Sequence, residues 1–171
     1  GGKESGKTTL ALALAARGHQ FLGDEIAAVR LDRTELIAFR RAVSVRDGPM
    51  GRGVAAALQR AGTTGERFPD GSERHRAPIG RLFPEATTTD TLPLRAALFR
   101  RRIGTVARAG GFRAGPEAAR LLSPLGSSLW DVAPAARVVR LLALLGRVRC
   151  LFIDPGSPDA TAELVETIAE G

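Results

Sequence analysis

The chain has 171 residues, 44% of them apolar and 25% charged, enough apolar material for the core of one globular domain. No apolar run reaches the roughly 18 to 20 residues of a membrane span, and the start carries no signal-peptide pattern, so a soluble, cytoplasmic protein without a membrane partner is expected. The formal charge of +7 raises nucleic acid as a partner, but there is no tyrosine and the seven phenylalanines do not interleave with the arginines as a stacking platform would, which argues against it.

Residues Gly1-Gly2-Lys3-Glu4-Ser5-Gly6-Lys7-Thr8 complete the pattern G-x-x-x-x-G-K-[ST]. Glycines at both ends let the backbone turn tightly and aim several N–H groups into one concavity that suits phosphate oxygens. Lys7 is placed to reach the β- and γ-phosphates, and the Thr8 hydroxyl to meet Mg²⁺. Gly1, Gly2, Lys3, Glu4, Ser5, Gly6, Lys7, Thr8 and Thr9 are therefore the candidate nucleotide-binding residues. The alternative is a chance glycine-rich turn. Composition speaks against it: of 25 basic residues only Lys3 and Lys7 are lysine, and both lie in this loop. Strong helix formers follow from Thr9 to Ala16, with Gly18 where a helix-ending glycine belongs. A helix opening at the loop adds its dipole to the anion site. Because such a loop normally joins a preceding strand to this helix, the domain is expected to be N-terminally truncated, lacking that strand.

Further along, 26–30, 35–39 and 42–45 read as short strands forming a hairpin or meander, and 51–61 as a helix. The stretch 62–77 has no apolar periodicity and reads as a mobile loop. Strands are expected over 94–100 and 105–108. Helices follow over 116–122 and 134–145, each with proline at its first position. A strand over 148–153 precedes a final helix to Glu170, opened by Ser157 as N-cap, Pro158 and Asp159. The whole is α/β with one mixed sheet in a single domain, 1–171.

Fifteen arginines against six acids lie between Arg40 and Arg113, whereas Cys150 to Gly171 holds five acids and no base. A solvated arginine-rich surface is the default account of the basic middle, although it would also suit an anionic ligand. The single cysteine, Cys150, lies in an apolar run and reads as a small buried hydrophobe. His19 reads as a turn residue and His75 as a solvated loop residue, and the pair shows no zinc-site spacing.

Phosphoryl transfer needs a carboxylate near the metal and a group to hold the nucleophile. Asp24-Glu25, one helix after the loop, and Asp154, closing an apolar strand, both qualify, and pattern alone does not separate them.

The stretch from Gly6 to Leu14, then Arg17-Gly18-His19-Gln20-Phe21-Leu22-Gly23-Asp24-Glu25, resembles the HPr kinase/phosphorylase family and its related P-loop serine kinases. In that family a phosphate loop and helix lead through an Arg-Gly-His segment to an Asp-Asp or Asp-Glu pair. The resemblance, concentrated in residues 1–45, implies a P-loop NTPase-like α/β fold of the HPr kinase and PEP carboxykinase type, with a mixed sheet flanked by helices. It implies ATP and Mg²⁺ as cofactors, and Asp24 as general base toward a serine hydroxyl. It further implies Lys7 as catalytic phosphate ligand, Glu25 beside Thr8 on the metal, and assembly as a homo-oligomer. Phe39-Arg40-Arg41 resembles a Phe-Pro-Arg segment of the related kinases, making Arg41 a phosphate-side candidate. The glycine-rich signature loop of true HPr kinases has no match, so the implied acceptor is another hydroxyl, in a protein, peptide or small molecule. Two rival readings remain: an ATP-dependent binding module or switch without catalysis, and a general P-loop ATPase using Asp154.

Overall fold

Ten residues, Lys7–Ala16, form the first helix, α1, and their composition explains why: after two threonines the run is leucine and alanine alone. It ends in a Schellman motif, with the N–H of His19 bonded to the Leu14 carbonyl and that of Gly18 to the Ala15 carbonyl. The helix is apolar nearly all round and is correspondingly enclosed. It packs on β3 (Val43–Arg46) and α2 (Val54–Arg60), and also on the last helix, α5 (Pro158–Glu170). The computed structural model describes residues 6–46, 50–51, 53–87, 91–100, 104–111 and 134–171.

Strands β1 (Ala28–Arg30) and β2 (Glu35–Ile37) pair antiparallel as a hairpin, and β6 (Leu92–Pro93) adds to β2. In β3, Val43 and Val45 point inward while Ser44 and Arg46 are half-buried, the alternation of a strand with one covered face. β3 pairs with β5 (Glu73–Ala77), which also pairs with β4 (Gly65–Arg67). A short helix, α3 (Ile79–Leu82), and a 3₁₀ turn at Pro84–Ala86 close this half. Its core joins Leu12, Phe21, Val43, Val45, Val54, Leu58, Ile79 and Leu82.

The third sheet has β9 (Arg149–Asp154) at its centre, parallel to β7 (Ala96–Arg100) and antiparallel to β8 (Arg108–Gly111). A helix, α4 (Pro134–Leu145), leads into β9. Leu145 and Cys150 are buried here against Ala97, Phe99, Leu141 and Val148, and Phe99 meets Phe152 edge-on at 6.3 Å. Burial raises the Cys150 thiol above its ordinary pKa, and its Sγ donates to the Leu145 carbonyl at 3.5 Å, the setting of an inert core cysteine.

The mixed α/β class agrees with expectation. The mixed sheet is present as one of three: β7, β9 and β8 join a parallel and an antiparallel pair, while the other two three-stranded sheets of the described residues are antiparallel, so the strands do not make one sheet; five α-helices accompany them.

The segment 62–77, read as loop, carries the β4–β5 hairpin. Its stability comes from polar side chains rather than apolar alternation. The Arg74 guanidinium stacks 4.2 Å over the Phe68 ring and reaches Asp70 Oδ2 at 2.7 Å. Asp70 also accepts from the Ser72 hydroxyl and backbone N–H, which, with Arg74, hold its carboxyl at about 2. The strand expected over 105–108 lies at 108–111. The helix expected over 116–122 lies outside the described residues.

Candidate functional site

After α1 the chain returns through Phe21, whose N–H donates to the Ala86 carbonyl at 2.8 Å, and Leu22, whose carbonyl accepts from the Phe39 N–H at 2.8 Å. Between these ties sits Gly23. A Cβ there would lie 2.9 Å from both the Ile26 and the Phe39 carbonyl oxygens, so only glycine allows the two backbone segments to approach this closely. The tight passage delivers the next two residues, Asp24 and Glu25, to the mouth of α1.

There they line a small cleft, with about 40 Å³ of free space, together with Thr8 from the first turn of α1, Arg41 from the segment before β3, and Ser44 from β3. Asp24 is half-buried and Glu25 exposed. Glu25 Oε2 lies 3.6 Å from Arg41 Nη1, a solvent-exposed pair of the kind that contributes little and exchanges partners readily. The cleft thus holds a hydroxyl and a carboxylate suited to a hard divalent cation, a second carboxylate and a guanidinium.

Among the described residues two buried side-chain polar atoms lack a hydrogen-bond partner, Ser44 Oγ and Arg100 Nη1. Both adjoin this region. Ser44 lines the cleft itself. Arg100 ends β7, and its guanidinium lies against Gly6, whose φ of +74° places it in the left-handed region; a Cβ on Gly6 would fall 3.0 Å from Nη1. Buried polar atoms are normally paired, so these two, one lining the cleft and one against Gly6 at the start of α1, are exceptions to the rule.

Among the sequence-derived candidates, Thr8, Asp24, Glu25 and Arg41 therefore share one cleft. Lys7 is exposed at the first position of α1, and Thr9 is half-buried one residue beyond Thr8. Gly1 to Ser5 lie outside the described residues. Asp154 ends β9 opposite Arg108 and is not among the residues lining the cleft.

The histidines have other surroundings. His19 Nε2 lies 2.7 Å from Glu166 Oε1, and Arg17 donates to the same carboxylate at 2.6 and 2.8 Å, tying the end of α1 to α5. Those two partners hold the Glu166 carboxyl at about 2. His75, read as a solvated loop residue, is instead half-buried on β5, with Nδ1 3.4 Å from the Thr63 hydroxyl. Arginines of the hairpin are likewise engaged at home: besides Arg74 with Asp70, Arg76 lies 4.0 Å from Glu66. Sequence reading missed Arg100 and Ser44; the run Arg100-Arg101-Arg102 at the end of an apolar strand was the available signal for the first.

No group of three or more His, Cys, Asp or Glu suited to a metal ion occurs among the described residues. Mg²⁺ needs no such group, because it commonly takes one or two protein oxygens and completes its shell with phosphates and water. Thr8 and Glu25 fit that demand, and the orphaned Arg100 Nη1 beside Gly6 fits a polyphosphate. Comparison with protein-family models, with curated proteins and with solved structures found no match. No helix among the described residues is long and apolar enough to cross a membrane.

Proposed function

We propose that this protein is an ATP-dependent kinase of the HPr-kinase-like type, transferring the γ-phosphoryl group to a hydroxyl, most simply a serine of a protein, peptide or small molecule. The observation that carries the reading is the meeting of Thr8, the last residue of the phosphate-loop pattern, with Asp24 and Glu25 around one cleft. The loop N–H groups and Lys7 hold the phosphates, and Thr8 and Glu25 hold Mg²⁺. Bound Mg²⁺ supplies charge neutralisation for the transferring phosphoryl group.

Asp24, half-buried opposite Thr8, accepts the proton of the acceptor hydroxyl as its oxygen attacks, and Arg41 releases Glu25 to face the phosphates. Positioning and charge stabilisation supply most of the rate gain in such a reaction.

With water as surrogate acceptor, ADP release from Mg-ATP and binding of a fluorescent ATP analogue test it. Lys7→Ala abolishes binding. Asp24→Asn keeps binding but slows ADP release by about 10²-fold or more, the usual contribution of a general base. Asp154→Asn leaves both unchanged. Wild-type turnover by Asp24→Asn removes Asp24 from the chemistry.

A further inference from the structure

Arg100 takes no part in the scheme above, yet its surroundings are unusual for an arginine. It is the last residue of β7, at the carboxyl end of a strand parallel to β9. In open α/β sheets, ligands gather at the carboxyl ends of parallel strands. Its side chain lies against Gly6, the glycine that immediately precedes Lys7, close enough that a Cβ on Gly6 would stand 3.0 Å from Nη1. Nη1 is buried and has no acceptor, and burial pulls the guanidinium below its ordinary pKa.

Arg100 as a whole is half-buried, and the one nitrogen withdrawn from solvent, Nη1, has lost water without gaining an acceptor, which costs stability in the unliganded chain. Beside it are Gly6, whose neighbour Lys7 opens α1, and the N-terminus of that helix, groups suited to phosphate oxygens. Guanidinium groups bind phosphate oxygens through paired, charge-assisted hydrogen bonds, which lysine cannot reproduce.

We infer that Arg100 is a phosphate-binding residue of this site, held against Gly6 to receive the polyphosphate of the bound nucleotide. The inference rests on the nucleotide reading and deepens it: the polyphosphate alone, without base or sugar, engages Arg100. A linkage follows. Ligand binding satisfies a group that destabilises the free protein, so polyphosphate raises the melting temperature partly through this one side chain.

The test uses inorganic pyrophosphate, and separately Mg-ATP, in thermal unfolding and calorimetric titration of the wild type, Arg100→Met and Arg100→Lys. Pyrophosphate raises the wild-type melting temperature. Unliganded Arg100→Met melts at or above the wild type, because an apolar chain of similar length replaces an unpaired cation, and it binds pyrophosphate and Mg-ATP at least tenfold more weakly. Arg100→Lys recovers part of the lost affinity. Unliganded Arg100→Met melting below the wild type, or failing to fold, overturns the inference, since the guanidinium is then satisfied within the fold. Wild-type affinity in Arg100→Met, with the wild type binding both ligands, also overturns it while leaving the nucleotide reading intact. A wild type that binds neither pyrophosphate nor Mg-ATP overturns both.

Discussion

Replacing Gly23 by alanine tests whether the close approach of two backbone segments is what sets the carboxylates in place. The added Cβ would stand 2.9 Å from the carbonyl oxygens of Ile26 and Phe39, and neither atom belongs to a side chain that could swing away. Each backbone must retreat by several tenths of an ångström, and the bond from the Phe39 N–H to the Leu22 carbonyl, now 2.8 Å, lies in the path of that retreat. Over-packing of this kind costs about 1–3 kcal/mol. At roughly 2–4 °C per kcal/mol for a domain of this size, the melting temperature should fall by about 2–12 °C. The effect on turnover should be larger in proportion, because Asp24 and Glu25 follow directly and a displacement near 1 Å at a reacting group can cost about 10²-fold. Thermal unfolding and ADP release from Mg-ATP are measured side by side. Gly111→Ala is the control, since a Cβ on Gly111 of β8 meets nothing within 4 Å. If Gly23→Ala matches the wild type in both assays, the geometry of this passage does not position the site and the reasoning fails.

Three further outcomes are expected. Glu166→Gln frees Arg17 and His19 and loosens α1 from α5, lowering the urea midpoint at neutral pH. Because the folded Glu166 carboxyl sits at about 2, below its ordinary value of 4.5, its contribution is complete above pH 4.5 and is lost as pH falls toward 2. A wild-type advantage undiminished near pH 2 contradicts the pairing. Leu12, 0% exposed at the centre of the larger core, should cost about 2–5 kcal/mol as Leu12→Ala, read from the denaturation midpoint at unchanged m-value. Ser157→Ala removes the acceptor of the Ala160 N–H at 3.2 Å and should cost about 0.5–2 kcal/mol; an unaltered stability would show that α5 is held by packing alone.

The local signals in the chain were those that depend on neighbours in sequence. The leucine and alanine run of α1 with its end at Gly18, the Ser157-Pro158 opening of α5, the helix from Pro134 and the apolar strand into Asp154 all stand where residue type and spacing put them. Such elements are set by intrinsic propensity, caps and fixed backbone torsions. The hairpin of β4 and β5 was hidden because arginine, glutamate and histidine carry no apolar alternation. Only in three dimensions does Arg74 cover Phe68 and answer Asp70.

The candidate site divides the same way. The eight-residue phosphate pattern is written in consecutive residues, and so is the acid pair that follows it. Which acid shares the cleft with Thr8 was not, since Asp24 and Asp154 each follow an apolar stretch. In the tertiary structure Asp24 and Glu25, directly after the close approach at Gly23, line one cleft with Thr8, while Asp154 ends β9 across from Arg108 and one residue beyond Ile153, the partner of Arg100. Arg100 is the extreme case, ninety-four residues from Gly6 in sequence and against it in space. Sequence by itself determined the helices, the apolar strand and the phosphate-loop pattern, because these obey short-range rules; only tertiary packing brought Arg100 against Gly6 and set Asp24, Glu25 and Arg41 on one cleft with Thr8, because those contacts join residues far apart in the chain.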